Sequence, residues 1–284
     1  MNLGFLVNFA DTGPSVHIAP AHVLTIGGLT ITNSILYGWI SALVIIALFI
    51  WTARHITIKP KGGFIQIVEV GADFITNMVM GAFDDKQRAR KYVPFFVTLF
   101  FFILFNNWLG LLPFVGDGLQ SSHLPLFRPF TGDLNATLAI GVVTMIVVYV
   151  ASIRESGGLR KYLGHFFMGS PFNPLYLLIG LLEMFTDLTR VLSLSLRLFL
   201  NIMIGEIVIA VFSFLGHILA PLSALPFTLL EMLVAALQAY IFTILATMYL
   251  AIVVNHASEH QLEHLTEDDV PETIDSRTSR KVIG

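Results

Sequence analysis

Five stretches of this chain are apolar for about twenty residues or longer, the length that one helical crossing of a bilayer needs. They run over Ile35–Ala53, Tyr92–Phe114 and Leu134–Ile153, then over a long region from Phe172 to Ile218, and finally over Leu222–Val254. In hydrocarbon every backbone N–H and C=O must find a partner within the protein, so such segments form helices or closed barrels. Unbroken apolar runs without alternating polar positions select the helix. The expected fold is an all-α polytopic membrane protein. Composition agrees, because only 12% of the 284 residues are charged, against about a quarter in a soluble domain. A net charge of −3 gives no footing for nucleic-acid binding. The absence of cysteine removes disulfides and thiolate chemistry. The opening "MNLGFLVNFADTG" has no Lys or Arg before its short apolar patch and does not read as a secretory signal.

One further apolar segment differs in kind. Gly62–Phe83 carries Glu69 and Asp73 one turn apart, which suits an amphipathic helix at the interface better than a crossing. Basic residues then orient the chain. Arg54, Lys59, Lys61, Lys86, Arg88, Arg90 and Lys91 lie between the first two spans, and Arg154, Arg160 and Lys161 follow the third. Residues 1–53 contain none, and Arg128 is alone in its loop. Positive loops stay cytoplasmic, so the N-terminus is expected outside. The region from Phe172 to Ile218 would reach roughly 70 Å as a helix. Two spans turning near Gly205 would place the basic tail outside, against the charge rule. One steeply tilted helix, a proline-containing turn at 219–226 and a second long helix returning give five crossings with the C-terminus inside. The expected organisation is an extracytoplasmic segment at 1–33, a membrane domain at 34–256 and a polar cytoplasmic tail at 257–284.

Six charged residues fall inside the last two apolar regions: Glu183, Asp187, Arg190, Arg197, Glu206 and Glu231. Each costs about 2.5–3.5 kcal/mol at the middle of a membrane on insertion scales, so each needs a partner or a wet path. Glu183, Arg190 and Arg197 are spaced by seven and share a helix face, which Ser193 and Asn201 join at four residues either side of Arg197. Glu206 points the other way, about 13 Å further along the axis. In the returning helix Gln238 follows Glu231 on the same face, within reach of Arg197 across the pair. Asp187 and Arg190, three apart, suit an internal salt bridge. Arg197 has no acid three or four residues away, so its counter-charge must come from another helix or another protein. One continuous row of acids would short-circuit an ion gradient, whereas two offset acid sites separated by an obligate cation would not.

At these residues the chain resembles subunit a of the F-type ATP synthases, the membrane stator beside a rotating c-ring. The resemblance rests on "SLSLRLFLNIMIGE" around Arg197, on "LQAYIFTILATMYL" at 237–250, on "NNWLGLLP" at 106–113 and on "DLNATLAIG" at 133–141. It implies that Arg197 is the essential arginine facing a c-ring carboxylate. Glu206 would belong to an outer half-channel and Glu183 to a cytoplasmic one, with Ser193, Asn201 and Gln238 supporting the path. Where Glu231 stands some members of the family have histidine, so here two carboxylates would share the outer site and titrate as a coupled pair. The resemblance also implies the c-ring, b-type peripheral stalk subunits, the bilayer and protons as partners, and a bacterial inner-membrane location. Sodium would use the same frame, since the ion-binding carboxylate lies on the c-subunit. No cofactor, metal or active site of its own is expected.

Other readings of the same charges are an ion-coupled secondary transporter and a structural subunit of a respiratory complex. No inverted halves are visible to favour the first. Asp133 and Asn135 stand at the outer start of the third span, either as part of the proton entrance or as a helix N-cap. His256, His260 and His264 recur every four residues among acids, and read as a solvated face rather than as zinc ligands.

Overall fold

The computed structural model describes residues 22–26, 29–55, 63–112, 115, 120–121, 124–125, 128–155, 158, 174–216 and 219–268. The opening residues and the basic loop at 159–173 therefore lie outside the described residues. Six helices dominate: α1 (Asn33–His55), α2 (Gly63–Ala82), α3 (Lys86–Gly110), α4 (Leu134–Glu155), α5 (Pro174–Gly216) and α6 (Ala220–Asp268). The described residues also form two small antiparallel hairpins. One, β1 (His22–Ile26) with β2 (Leu29–Thr32), leads into α1, and the other, β3 (Gln120–Ser121) with β4 (Leu124–Pro125), lies between α3 and α4. All six helices are long and apolar enough to cross a membrane, with α2 the least hydropathic.

Side-chain contacts fix the directions of the helices. Tyr37 donates to the Leu109 carbonyl and Ser41 to the Asn106 amide oxygen, so α1 and α3 are antiparallel. The Asn255 side chain meets Ala82 and Asp84, whereas the Trp108 indole donates to the Met232 carbonyl, so α3 and α6 are antiparallel as well. Glu155 at the end of α4 accepts from Tyr92 at 2.8 Å and pairs with Arg88 and Lys91. One end of the bundle therefore gathers Arg54, Lys86, Arg88, Arg90, Lys91 and Arg154. Since α1 ends and α3 begins at that same end, α2 between them returns to the side it left and does not cross. Its buried stripe, Ile65, Val68, Ile75 and Val79, packs inward while Glu69 and Asp73 are exposed. Five crossings remain.

The core forms around α3 and α6. Phe96 and Ile103 of α3 and Ala239, Phe242 and Ala246 of α6 are fully buried. Alanines on the inner stripe of α6 let its neighbours approach closely, which substitutes for the missing hydrophobic drive between helices in lipid. Helix α5, with 43 residues, and α6, with 49, are far longer than a perpendicular crossing requires. The turn between them is tighter than the sequence suggests. Helix α5 ends at Gly216 and α6 begins at Ala220, so Pro221 and Pro226, expected in the turn, lie inside α6. Pro221 stands in the first helical turn, where its missing N–H leaves no bond unmade. Gly216 makes this closure possible, because a Cβ there would collide with the Ser223 hydroxyl. That hydroxyl donates to the Phe212 carbonyl at 2.8 Å, and Phe212 stacks on Phe227 with ring centroids 3.7 Å apart.

Candidate functional site: an outward arginine and an inward acid pair

Helix α5 has two faces through its middle. Leu194, Ser195, Leu198, Ile202, Met203 and Gly205 are buried against the bundle. Leu192, Ser193, Leu196, Arg197, Leu200 and Ile204 are exposed on the other side. A helical period with leucines four apart produces this second stripe, and it sets a guanidinium in an apolar outer wall. Arg197 opens onto a groove of about 660 Å³ lined also by Ser193, Leu196, Leu200, Asn201 and Gln238. Among the described residues Arg197 has no ion-pair partner. Gln238 shares the groove but makes no hydrogen bond to the arginine; its Nε2 is buried without a partner among the described residues.

Arg190, one step of seven away, sits 4.7 Å over the Tyr249 ring of α6, a cation–π contact. Tyr249 lies nearer the basic end than Gln238, and so the axis of α5 runs from Arg190 through Arg197 toward Glu206. The side chains of Glu183 and Asp187 lie outside the described residues, and with them the expected acid at the basic end and the Asp187–Arg190 bridge. The tail histidines, on the last turns of α6, have undescribed side chains too.

Glu206 faces inward, opposite Arg197. One of its carboxylate oxygens lies 3.7 Å from the point where a side chain at Gly132 would begin. Gly132 closes a short 3-10 turn, Phe130–Gly132, just ahead of α4. Glu231 of α6 is buried, and its carboxyl occupies the room that a Cβ on Gly205 would need. The two acids thus come to neighbouring positions of α5 at the end of the bundle away from the basic cluster. Two further buried polar residues adjoin residues of this region in sequence: Asn107 precedes Trp108, whose indole donates to the Met232 carbonyl, and Thr131 precedes Gly132. Asn107 and Thr131 are fully enclosed, and their side-chain polar atoms have no protein partner among the described residues.

Asp133 and Asn135 have a simpler arrangement. One Asp133 oxygen accepts from the Asn135 backbone N–H at 3.0 Å and the other from the Ser34 hydroxyl at 2.7 Å. That is an N-cap on α4 which also ties α4 to the start of α1.

Sequence reasoning missed Arg128. It is 3% exposed, and its Nη2 donates to the Gly132 carbonyl at 3.0 Å and to the Met203 sulfur at 3.5 Å. The signal was present: a lone cation between two prolines in "LPLFRPF", far from the other basic residues.

A sequence model of a family described as ATP synthase A chain matches residues 35–251. The chain is 34% identical over 190 residues to the ATP synthase subunit a of Gloeobacter violaceus, an alignment covering 66% of this chain and 70% of that one. It is 34% identical over 184 residues to the ATP synthase subunit a of Myxococcus xanthus, covering 63% and 55% of the two chains. With the ATP synthase subunit a of Syntrophobacter fumaroxidans it shares 32% over 243 residues, covering 84% and 92%.

Proposed function

Since the chain belongs to the ATP synthase A chain family, a multi-pass membrane component of the ATP synthase complex, we propose that it is the proton-translocating stator of that complex and that Arg197 is its coupling residue. In this reading the outer face of α5 lies along a ring of c-subunits, and b-type peripheral stalk subunits hold the chain against rotation. The basic end faces the cytoplasm, following the bias of Lys and Arg, and the membrane is the bacterial inner membrane. Residues 34–256 act as the membrane domain, 1–33 as an outer segment and 257–284 as a cytoplasmic tail.

The mechanism follows from two costs. A protonated carboxylic acid on the ring moves through lipid, whereas a carboxylate pays a large desolvation penalty there. Beside Arg197 the carboxylate is favoured over the neutral acid, because a close cation stabilises the charged form. An arriving ring acid therefore releases its proton on one side of the arginine and takes up another on the far side. Glu206 and Glu231 serve the outer half-channel and Glu183 the cytoplasmic one, with Ser193, Asn201 and Gln238 lining the approach. The membrane potential supplies about 2.3 kcal/mol per charge per 100 mV. Arginine suits the post because it stays protonated where a lysine can lose its proton.

The observation that carries this reading is the exposure of Arg197 in an apolar wall with no ion-pair partner among the described residues. A cation in such a place calls for a counter-charge, and in this reading a ring carboxylate supplies it. Replacing Arg197 with alanine should abolish proton-driven ATP synthesis while leaving the subunit in the complex. Wild-type synthesis by assembled Arg197→Ala complexes would reject the proposal.

A further inference from the structure

A guanidinium enclosed by protein is more expensive than one facing lipid beside a partner, and Arg128 is enclosed without full compensation. Its Nη2 is satisfied, but Nε and Nη1 are buried and have no hydrogen-bond partner among the described residues. A loop brace needs only the Gly132 carbonyl, which any neutral donor of similar reach could hold. The charge itself calls for a separate explanation. The acids supply one. Arg128 Nε lies 3.8 Å, and a Glu206 oxygen 3.7 Å, from the same point above Gly132. The neighbouring residue of α5, Gly205, receives the Glu231 carboxyl, of which Oε1 has no partner among the described residues.

We propose that Arg128 is a positioning residue for the outer half-channel: the fixed cation that lets Glu206 and Glu231 share one buried site. This rests on the proton-translocating reading above. Two carboxylates in a low-dielectric pocket repel each other when both are ionised, and a third, permanently positive group changes that balance. Arg128 comes from the loop ahead of α4, Glu206 from α5 and Glu231 from α6, so the three elements meet at one electrostatic node. With arginine always protonated, the node holds its charge through each proton passage. Arg197 cannot take this part, since it lies on the opposite face of α5 and about 13 Å along the axis.

The test is a double-mutant cycle in inverted membrane vesicles containing the assembled complex, read as proton-driven ATP synthesis and as the amount of subunit retained. In the native background Arg128→Gln should lower synthesis about tenfold, and in a Glu231→His background, with the second acid gone, by no more than about twofold. Arg128→Lys should retain most of the native rate, because it keeps the charge. A pure brace predicts equal losses in both backgrounds, and that result, or no loss in either, would overturn the proposal. If Arg128→Gln complexes assemble only with Glu231→His, the coupling appears in assembly and the proposal stands. If they assemble in neither background, Arg128 is a structural strut and the proposal fails. Arg197→Ala in the same vesicles is the control for the underlying reading: continued synthesis there would overturn the stator assignment, whatever Arg128 does.

Discussion

The carboxyl of Glu231 on α6 fills the space that a side chain at Gly205 on α5 would occupy. The two helices approach so closely there that the acid lies against backbone, immediately beside Glu206 in sequence. A methyl group at position 205 would meet the mobile tip of Glu231, which can swing aside, rather than a rigid neighbour.

Substituting Gly205 with alanine should therefore spare folding and damage conduction. We expect Gly205→Ala complexes to assemble at native levels and to carry protons roughly tenfold more slowly, since a displaced group about 1 Å out of register loses that much or more. Passive proton flux through the membrane sector, measured after removal of the soluble sector, gives the comparison. Native flux would mean that Glu231 does not need its present position.

Asp133 separates a cap from a proton carrier. As a cap it can be replaced by asparagine, which accepts the same backbone N–H, so Asp133→Asn should conduct within about twofold of the native protein. Asp133→Ala should cost about 1 kcal/mol of stability by removing the cap, and the Ser34 hydroxyl would lose its acceptor. Loss of proton flux in a well-assembled Asp133→Asn complex would restore Asp133 to the entrance of the path.

How far the sequence can be read depends on what each inference required. The split of α5 into an inner face and an Arg197 face follows from helical periodicity alone, and the exposed and buried residues alternate accordingly. The number of crossings followed from charge distribution, and the antiparallel pairing of α1 with α3 explains why: both helices place their basic ends together. Arg128 stood out in the sequence as a lone cation, but its place in a site was not legible, because Met203 of α5 meets it from 75 residues away. No local spacing encodes such a meeting. Asp133 remained double-valued until Ser34, 99 residues away, supplied its second partner. The α5–α6 turn was placed too late because Pro221 and Pro226 looked like breakers, although Pro221 stands in the first turn of α6, where a proline leaves no bond unmade.

The close hairpin between α5 and α6 gives a prediction about folding rather than transport. Gly216→Val should drive its side chain into Ser223 and destabilise the hairpin by about 1–3 kcal/mol, as overpacking does. Pairing it with Ser223→Gly should recover part of that loss, because the collision is local and the two effects are coupled. Thermal inactivation of the purified complex reports both. An unchanged midpoint for Gly216→Val would show that the turn opens to accommodate the larger residue.

The most direct measurement concerns what stands opposite Arg197. The native chain has no cysteine, so single cysteines at Leu196 and Leu200, on the same exposed stripe, can be paired with cysteines flanking the ring carboxylate of a c-subunit. Oxidation should join the two polypeptides, at both positions, in complexes that retain ATP synthesis before cross-linking. Failure to capture any c-subunit, with the same cysteines instead joining this chain to itself or to a stalk subunit, would contradict the stator account.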